Sequence, residues 1–309
     1  MRNTFASTFY ELGKADPRLA VVVADISPAG SIAKFREDFP ERFINTGVAE
    51  QIMIGLVAGM AMRGLRPFAY TIATFSVFRP YEMIRDDLCY QDLPVSVVGI
   101  GGGVTYSTLG ATHQAVEDVA VMSSLPNMQV CAPCDPAETA AATRYLAQEN
   151  MHPCYLRLAK AGEPDLTANA AEPFVFGRLR TLRPGKDTCF LAYGSTPVKM
   201  ALELSDKLAE TTGTAAAVIS AHTVKPLDAE GVAKVLHGYR RVVVLEEHVP
   251  HGGLGSRVKE IAWSERADCE LLHFSLKDAF LHVYGSHGDL LTAHGFTPAA
   301  VGTALGLKA

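Results

Sequence analysis

Pro94-Val-Ser-Val-Val-Gly-Ile100 is a short apolar run that stops at a glycine cluster, Gly101-Gly-Gly103. A run of this length bounded by turn residues reads as a buried strand, and its neighbours decide what kind of sheet it joins. On its N-terminal side, Leu19–Ala24 (LAVVVA) and Phe68–Ile72 read as further strands. Between them lies a predicted helix, Gln51–Arg63, rich in the small residues Gly55, Ala58, Gly59 and Ala61, which allow close packing against a neighbour. A helix is also predicted over Phe78–Cys89. On the C-terminal side follow a helix over Gln114–Ser123, a strand over Met128–Ala132, an Ala-rich helix over Pro136–Glu149 opened by Asp135, and a strand over Cys154–Leu158. Strands alternating with helices imply right-handed crossovers and a parallel sheet covered on both faces.

Composition changes at Ala161–Pro173 (AGEPDLTANAAEP), which is polar, rich in Ala and Pro, and without periodicity. It reads as a linker. Alternation then resumes: strands at Thr188–Ala192, Ala215–Ile219 and Val242–Glu246, with helices at Pro197–Glu210, Asp228–Leu236 and from about Leu254. The expected fold is therefore α/β, with two three-layer α/β/α domains, the second smaller. The first spans residues 1–162, a linker 163–186, and the second 187–309.

The composition narrows the function classes. The chain has 309 residues, enough for two cores. Its net charge of -5 offers no basic footprint for nucleic acid or an anionic membrane. The apolar stretch Ile52–Met62 is too short to span a bilayer, and Arg2–Gly13 lacks the apolar centre of a targeting segment, so a cytoplasmic location is expected. Cys131-Ala-Pro-Cys134 has redox spacing, but it follows an apolar run rather than opening a helix, and reads as a strand end turning through Pro133. No second cysteine pair stands at zinc spacing, so no metal site is expected on this chain.

Five places are candidates for chemistry. In Asn45-Thr-Gly-Val-Ala-Glu50-Gln51 a carboxylate opens the small-residue helix. By position it is a partner for the helix dipole. Because almost everything after it is apolar or small, Glu50 is expected to be buried, with a raised pKa that suits proton exchange. In Thr74-Phe-Ser-Val-Phe-Arg-Pro-Tyr81 three aromatics, Phe75, Phe78 and Tyr81, recur at i, i+3 and i+6. That spacing fits a core stripe and equally a pocket for a flat heterocycle. The Gly99–Gly103 loop lacks the features of a dinucleotide-binding turn and reads as a flexible loop that lets backbone approach a ligand. Gly110-Ala-Thr-His113-Gln114 sets His113 at the carboxyl end of a strand region, where open α/β sheets place ligands. Glu246-Glu-His248 with Gly252-Gly-Leu-Gly255 has similar geometry, and there a fold-stabilising role is expected.

Taken together, the strand end Asp25-Ile-Ser, INTGVAEQ (44–51), TFSVFRPY (74–81), GATHQAVED (110–118), Thr223-Val-Lys-Pro-Leu-Asp228 and LEEHVPHGGLGS (245–256) resemble the transketolase family over nearly the whole chain. The resemblance covers the pyrimidine-binding and C-terminal domains only, without the Gly-Asp-Gly motif for magnesium and diphosphate. It implies the C-terminal subunit of a split transketolase that uses thiamine diphosphate, with Mg²⁺ held mainly by an N-terminal, diphosphate-binding partner. An α2β2 heterotetramer with β–β contact is expected. Glu50 would hydrogen-bond the ring nitrogen of the aminopyrimidine and so promote loss of the thiazolium C2 proton. Phe75, Phe78 and Tyr81 match the aromatic pyrimidine pocket, and Asp25 an acidic residue near the thiazolium. His113 matches a substrate-side histidine, and Arg2 an arginine for a sugar phosphate.

The departures from the family pattern bear on substrate. Its sugar-hydroxyl histidine and aspartate fall at Gly101 and Leu109. In its phosphate-binding set a serine position reads Ala29 and an arginine position reads Lys160, which keeps the charge but loses the bidentate fork. Fewer hydroxyl partners mean weaker rejection of less hydroxylated analogues, so a sugar or sugar phosphate unlike the usual phosphopentoses is expected. Two other readings stand beside this one: the β subunit of a 2-oxo-acid dehydrogenase E1, and a non-catalytic scaffold or regulatory paralogue. GATHQ and Arg2 favour the first reading over the E1 subunit, and Glu50 with its aromatics favours it over the scaffold.

Overall fold

A computed structural model describes residues 1–26 and 31–307; Ala29 lies outside them. Among the described residues the first half begins with α1 (Arg2–Ala15), β1 (Leu19–Val23), α2 (Ser31–Asp38), β2 (Phe43–Asn45), α3 (Glu50–Met62) and β3 (Arg66–Ile72). Then come α4 (Ala73–Val77), α5 (Tyr81–Met83) running into a π-helical turn Ile84–Cys89, and β4 (Ser96–Ile100). α6 (Asp118–Ser123), β5 (Gln129–Cys131), α7 (Pro136–Gln148) and β6 (Cys154–Leu158) complete it.

The second half comprises β7 (Arg180–Arg183), β8 (Thr188–Ala192), α8 (Ser195–Thr212), β9 (Ala217–Ser220), β10 (Thr223–Lys225) and α9 (Ala229–Gly238). It ends with β11 (Arg241–Leu245), α10 (Leu254–Glu265), β12 (Glu270–Phe274), α11 (His287–His294) and α12 (Pro298–Ala304). The strands form two sheets, ordered β10-β5-β6-β4-β3-β1-β2 and β12-β11-β8-β9-β7. Every pairing is parallel except those of the edge strands β10 and β7. This is the expected α/β architecture, mostly parallel in both halves.

Period-two alternation builds the layers. Val22, Ala69, Val97 and Tyr155 face one apolar cluster with Met53 and Val57 of α3. Val21, Val23, Phe68, Tyr70 and Val98 face the other, with Phe5 and Phe9 of α1. Both faces are thus covered, which is why these strands read as continuous apolar runs. Because β1, β2, β3, β4 and β6 run parallel, their carboxyl ends lie along one edge of the sheet. Asp25, Glu50, Phe75, Gly101 and Lys160 follow those ends and are delivered to that edge.

Several elements differ from the expectation, each for a local reason. The helix expected over Phe78–Cys89 is broken by a turn at Phe78–Pro80, where Pro80 has no amide hydrogen to continue the ladder. The helix expected from Gln114 starts at Asp118, because Ala115 instead exchanges two backbone hydrogen bonds with Gly103. Segment 163–186 contains β7, the edge strand of the second sheet. β10, from the second half, pairs with β5 and extends the first sheet. The second sheet holds β7 and β12 beside its three expected strands. Gly55 and Gly59 of α3 are exposed, and a Cβ on either meets nothing within 4 Å, so they serve no close packing inside the chain.

Candidate active site

Glu50 is the first residue of α3 and is only 2% exposed. Its carboxylate does not stand alone: Arg79 Nη1 donates to Oε1 and to Oε2, both at 2.9 Å. Burying a carboxylate without a partner is costly, and the arginine supplies the partner from the turn between α4 and α5. The guanidinium carbon also lies 4.6 Å from the Phe75 ring centroid, a cation–π arrangement. Phe75 in turn meets the His113 ring edge-on at 5.1 Å.

The chain of contacts continues. His113 is half-buried, with Nδ1 2.9 Å from Thr112 Oγ1, and its ring lies 6.4 Å from Tyr106. Lys160 Nζ sits 5.3 Å over that tyrosine ring. Burial pushes the Tyr106 hydroxyl up, and the adjacent Arg2 guanidinium pulls it partly back. Arg2 and Lys160, distant in sequence, therefore meet at one residue. A chain of side-chain contacts runs from Glu50 through Arg79, Phe75, His113 and Tyr106 to two cations.

The remaining candidates stand apart from this line. Asp25 is exposed at the end of β1 with φ 47°, and its N–H donates to Asn45 Oδ1 at 3.2 Å. Phe78 lines a groove of about 480 Å³ with Thr74, Thr112, Gln114, Phe280 and His282. Tyr81 directs its hydroxyl to Ser124 Oγ at 2.8 Å and packs against the core cluster shared with α3. The three aromatics do not form one helical stripe, since the helix breaks between the second and the third. Leu109 is exposed on a short 3-10 turn just before the His113 loop.

The glycine loop is not the open ligand approach that its composition suggests. A Cβ on Gly101 would fall 2.2 Å from the Tyr106 ring, one on Gly102 2.5 Å from Arg157 Nε, and one on Gly103 2.3 Å from Glu247 Oε1. The protein's own side chains fill that space. Arg157 donates from Nε to Asp118 Oδ2 (2.8 Å) and from Nη2 to the carbonyls of Ala115 and Glu247 (both 3.1 Å). Glu247 accepts from Val104 N–H at 2.8 Å and pairs with His287 at 2.9 Å. The loop bearing His113 is thereby tied to the second half of the chain.

Glu246 accepts from the Leu254 and Gly255 amides at the start of α10 and pairs with His273 at 2.7 Å, and His248 Nε2 accepts from Ala120 N–H. These are the fold-stabilising roles expected for Glu246-Glu-His248. Cys131 and Cys134 are buried and free, and burial pushes both thiols well up, as fits a strand end rather than a redox pair. Among the described residues, no group of three or more His, Cys, Asp or Glu side chains is placed to hold a metal ion, and no helix is long and apolar enough to cross a membrane.

Sequence reasoning missed Arg79 and Tyr106. Arg79 lies inside the aromatic stretch 74–81, and a lone cation among three aromatics was the available signal. Nothing in the sequence around Tyr106 set it apart.

Comparison with known proteins matches this architecture along its length. Residues 1–162 match the transketolase pyrimidine binding domain, and residues 177–301 the transketolase C-terminal domain. One subunit of an apulose-4-phosphate transketolase of Phocaeicola vulgatus is 34% identical over 84% of this chain and 82% of its own. A putative transketolase C-terminal section of Methanocaldococcus jannaschii is 37% identical over 94% of this chain and 93% of its own. A 6-deoxy-6-sulfo-D-fructose transketolase subunit of a Clostridium species is 34% identical over 91% of this chain and 85% of its own. A solved split-gene transketolase, described as an inactive β4 tetramer, superposes with a TM-score of 0.87 at 37% identity, covering 100% of this chain and 99% of that one. The transketolase of Leishmania mexicana shares the fold, with a TM-score of 0.79 at 23% identity over 98% of this chain and 44% of its own. The chain belongs to the transketolase family.

Proposed function

We propose that this member of the transketolase family is the C-terminal subunit of a two-subunit, thiamine-diphosphate-dependent transferase, moving a two-carbon ketol unit from a ketose to an aldehyde acceptor. The observation that carries the reading is the buried Glu50 carboxylate, which with the Phe75 ring already holds a planar N–H donor in the shape of Arg79. That donor set fits an aminopyrimidine: a carboxylate for a ring nitrogen and an aromatic face for the ring. When bound, thiamine diphosphate supplies the nucleophilic carbon and the electron sink for cleaving the bond beside a ketose carbonyl. Glu50, buried, would hydrogen-bond the ring nitrogen. Phe75 would face the ring, and Phe78, Tyr81 and Asp25, which stand apart from the Glu50–Phe75 pair, are assigned to the cofactor side by the family resemblance alone.

His113 hydrogen-bonds substrate hydroxyl or carbonyl oxygens, and Arg2 and Lys160, converging on Tyr106, take an anionic end of the substrate. The diphosphate and Mg²⁺ would be held by an N-terminal partner subunit, and an α2β2 assembly with β–β contact follows. Relatives named as single subunits of transketolases, together with the inactive β4 state of the solved split-gene relative, support the need for a partner. The sugar is a specialised one. Exposed Leu109 and packed Gly101 offer no hydroxyl readers, and relatives carry the names apulose 4-phosphate and 6-deoxy-6-sulfo-D-fructose.

The test is calorimetric titration of thiamine diphosphate into this chain with and without an N-terminal, diphosphate-binding transketolase subunit, for wild type and Glu50→Ala. Tight binding is expected only for the wild-type complex. Tight binding by the lone chain, or unchanged binding and activity in Glu50→Ala, would reject the reading. Turnover of xylulose 5-phosphate with ribose 5-phosphate at ordinary transketolase efficiency would reject the specialised substrate.

A further inference from the structure

Arg79 is placed oddly for a residue that merely neutralises Glu50. One terminal nitrogen reaches both carboxylate oxygens at 2.9 Å, and the guanidinium is held over Phe75 at 4.6 Å. These are the two partners assigned above to the aminopyrimidine: one carboxylate edge and one ring face. A guanidinium and an aminopyrimidine are both planar, delocalised and rich in N–H donors, so each satisfies the same pair of contacts. They cannot do so together.

The arginine is also built to leave. Its side chain is 44% exposed while that of Glu50 is 3% exposed. It sits in the Phe78–Pro80 turn rather than in a helix, and Glu50 is its one ionic partner among the described residues. Retracting it into water costs little for the arginine, whereas the carboxylate it abandons is buried and needs a replacement donor at once. A ligand that supplies that donor and stacks on Phe75 is the group that displaces it.

We propose that Arg79 is a stand-in for the cofactor's aminopyrimidine, occupying Glu50 and Phe75 in the free chain and swinging to solvent when the ring binds. The inference rests on the pyrimidine site proposed above. It assigns Arg79 a role in setting cofactor affinity: the free chain is closed for part of the time, and apparent affinity falls in proportion to the fraction left open.

The probe is 4-amino-5-hydroxymethyl-2-methylpyrimidine, the cofactor's ring without its diphosphate, titrated into the full-length chain and followed by ligand-observed NMR. Wild type, Arg79→Ala, Arg79→Gln and Glu50→Ala are compared. Removing the stand-in should tighten binding by about five- to thirtyfold in both arginine variants, the worth of a partly exposed ion pair and one cation–π contact. Glu50→Ala should lose binding. Unchanged or weaker binding in both arginine variants, with Glu50→Ala still impaired, overturns the stand-in and leaves the pyrimidine site standing. Absence of binding in every chain, or equal binding by Glu50→Ala, rejects the site itself.

Discussion

Replacing Arg157 with methionine tests the buried charge pair of the first half, whose arginine also reaches the Glu247 carbonyl of the second. Arg157 is 6% exposed and its partner Asp118 is fully buried. The same Asp118 oxygen accepts from Arg157 Nε at 2.8 Å and from the Tyr155 hydroxyl at 2.7 Å, so the carboxylate depends on both donors. Methionine conserves the aliphatic stem and removes the charge; the buried carboxylate keeps only the Tyr155 hydroxyl, the Ala115 carbonyl keeps only the Gly103 amide, and the Glu247 carbonyl loses this donor. Breaking one side of a buried pair in this way costs about 3–5 kcal/mol. With a urea dependence of about 3 kcal/mol per molar, the denaturation midpoint should fall by about 1–1.7 M. Arg178 provides the contrast: it meets Asp228 at 3.1 Å with its side chain 61% exposed. Arg178→Met should cost less than about 1 kcal/mol and move the midpoint by no more than about 0.3 M. The double variant Asp118→Asn with Arg157→Met should be more stable than Arg157→Met alone, because the stranded charge is gone while an acceptor for Tyr155 remains. A double variant that loses as much as the sum of the two single ones, or an Arg157→Met midpoint like that of Arg178→Met, would refute the argument that a desolvated charge pair anchors Arg157 within the first half.

Three further outcomes are expected. Burial opposes charge on Glu246, but the hydrogen bond from His273 and the backbone donors of α10 outweigh it and hold the carboxyl below its usual range. Its contribution to stability should therefore be complete above the ordinary glutamate pKa and disappear as pH falls through the depressed value, and Glu246→Ala should flatten that acid limb in thermal melts. His287 has the opposite sign: burial lowers it, the Glu247 partner raises it further, and the net shift is upward. Stability from that pair should be complete below the ordinary histidine pKa of 6.5 and be lost as pH rises through the raised one, visible as an NMR titration shifted upward in wild type and restored towards normal in Glu247→Gln. Gly103→Ala should destabilise the chain by about 2 kcal/mol or more, since φ there is +69° and the new Cβ would meet Glu247 at 2.3 Å; a melt unchanged from wild type would contradict the packed-loop description.

Much of this protein was legible in its sequence, because local pattern encodes period and burial. The doubly covered strands Cys154–Leu158 and Thr188–Ala192 were readable to the residue, since burial on both faces favours apolar residues along the whole run. The burial of Glu50 followed from the apolar residues after it. Edge strands were harder. β12, Glu270–Phe274, is half-buried along most of its length, and β7 mixes arginines with apolar residues, so neither carries the continuous signal of a central strand. The aromatic stretch 74–81 displayed its residues but not the turn that divides them.

Tertiary structure alone decided the rest. The partner of Glu50 lies 29 residues away, and the amide that meets Glu247 lies 143 residues away. No local periodicity marks such pairs, because they are selected by where the sheet edge and the second half of the chain happen to bring charges out of water. The same applies to Arg2, Lys160 and Tyr106, which converge only because α1 and the ends of β4 and β6 share one edge. The sequence by itself established a parallel α/β chain with a buried carboxylate beside aromatics. Folding determined that this carboxylate is already held, and that a planar cation holds it.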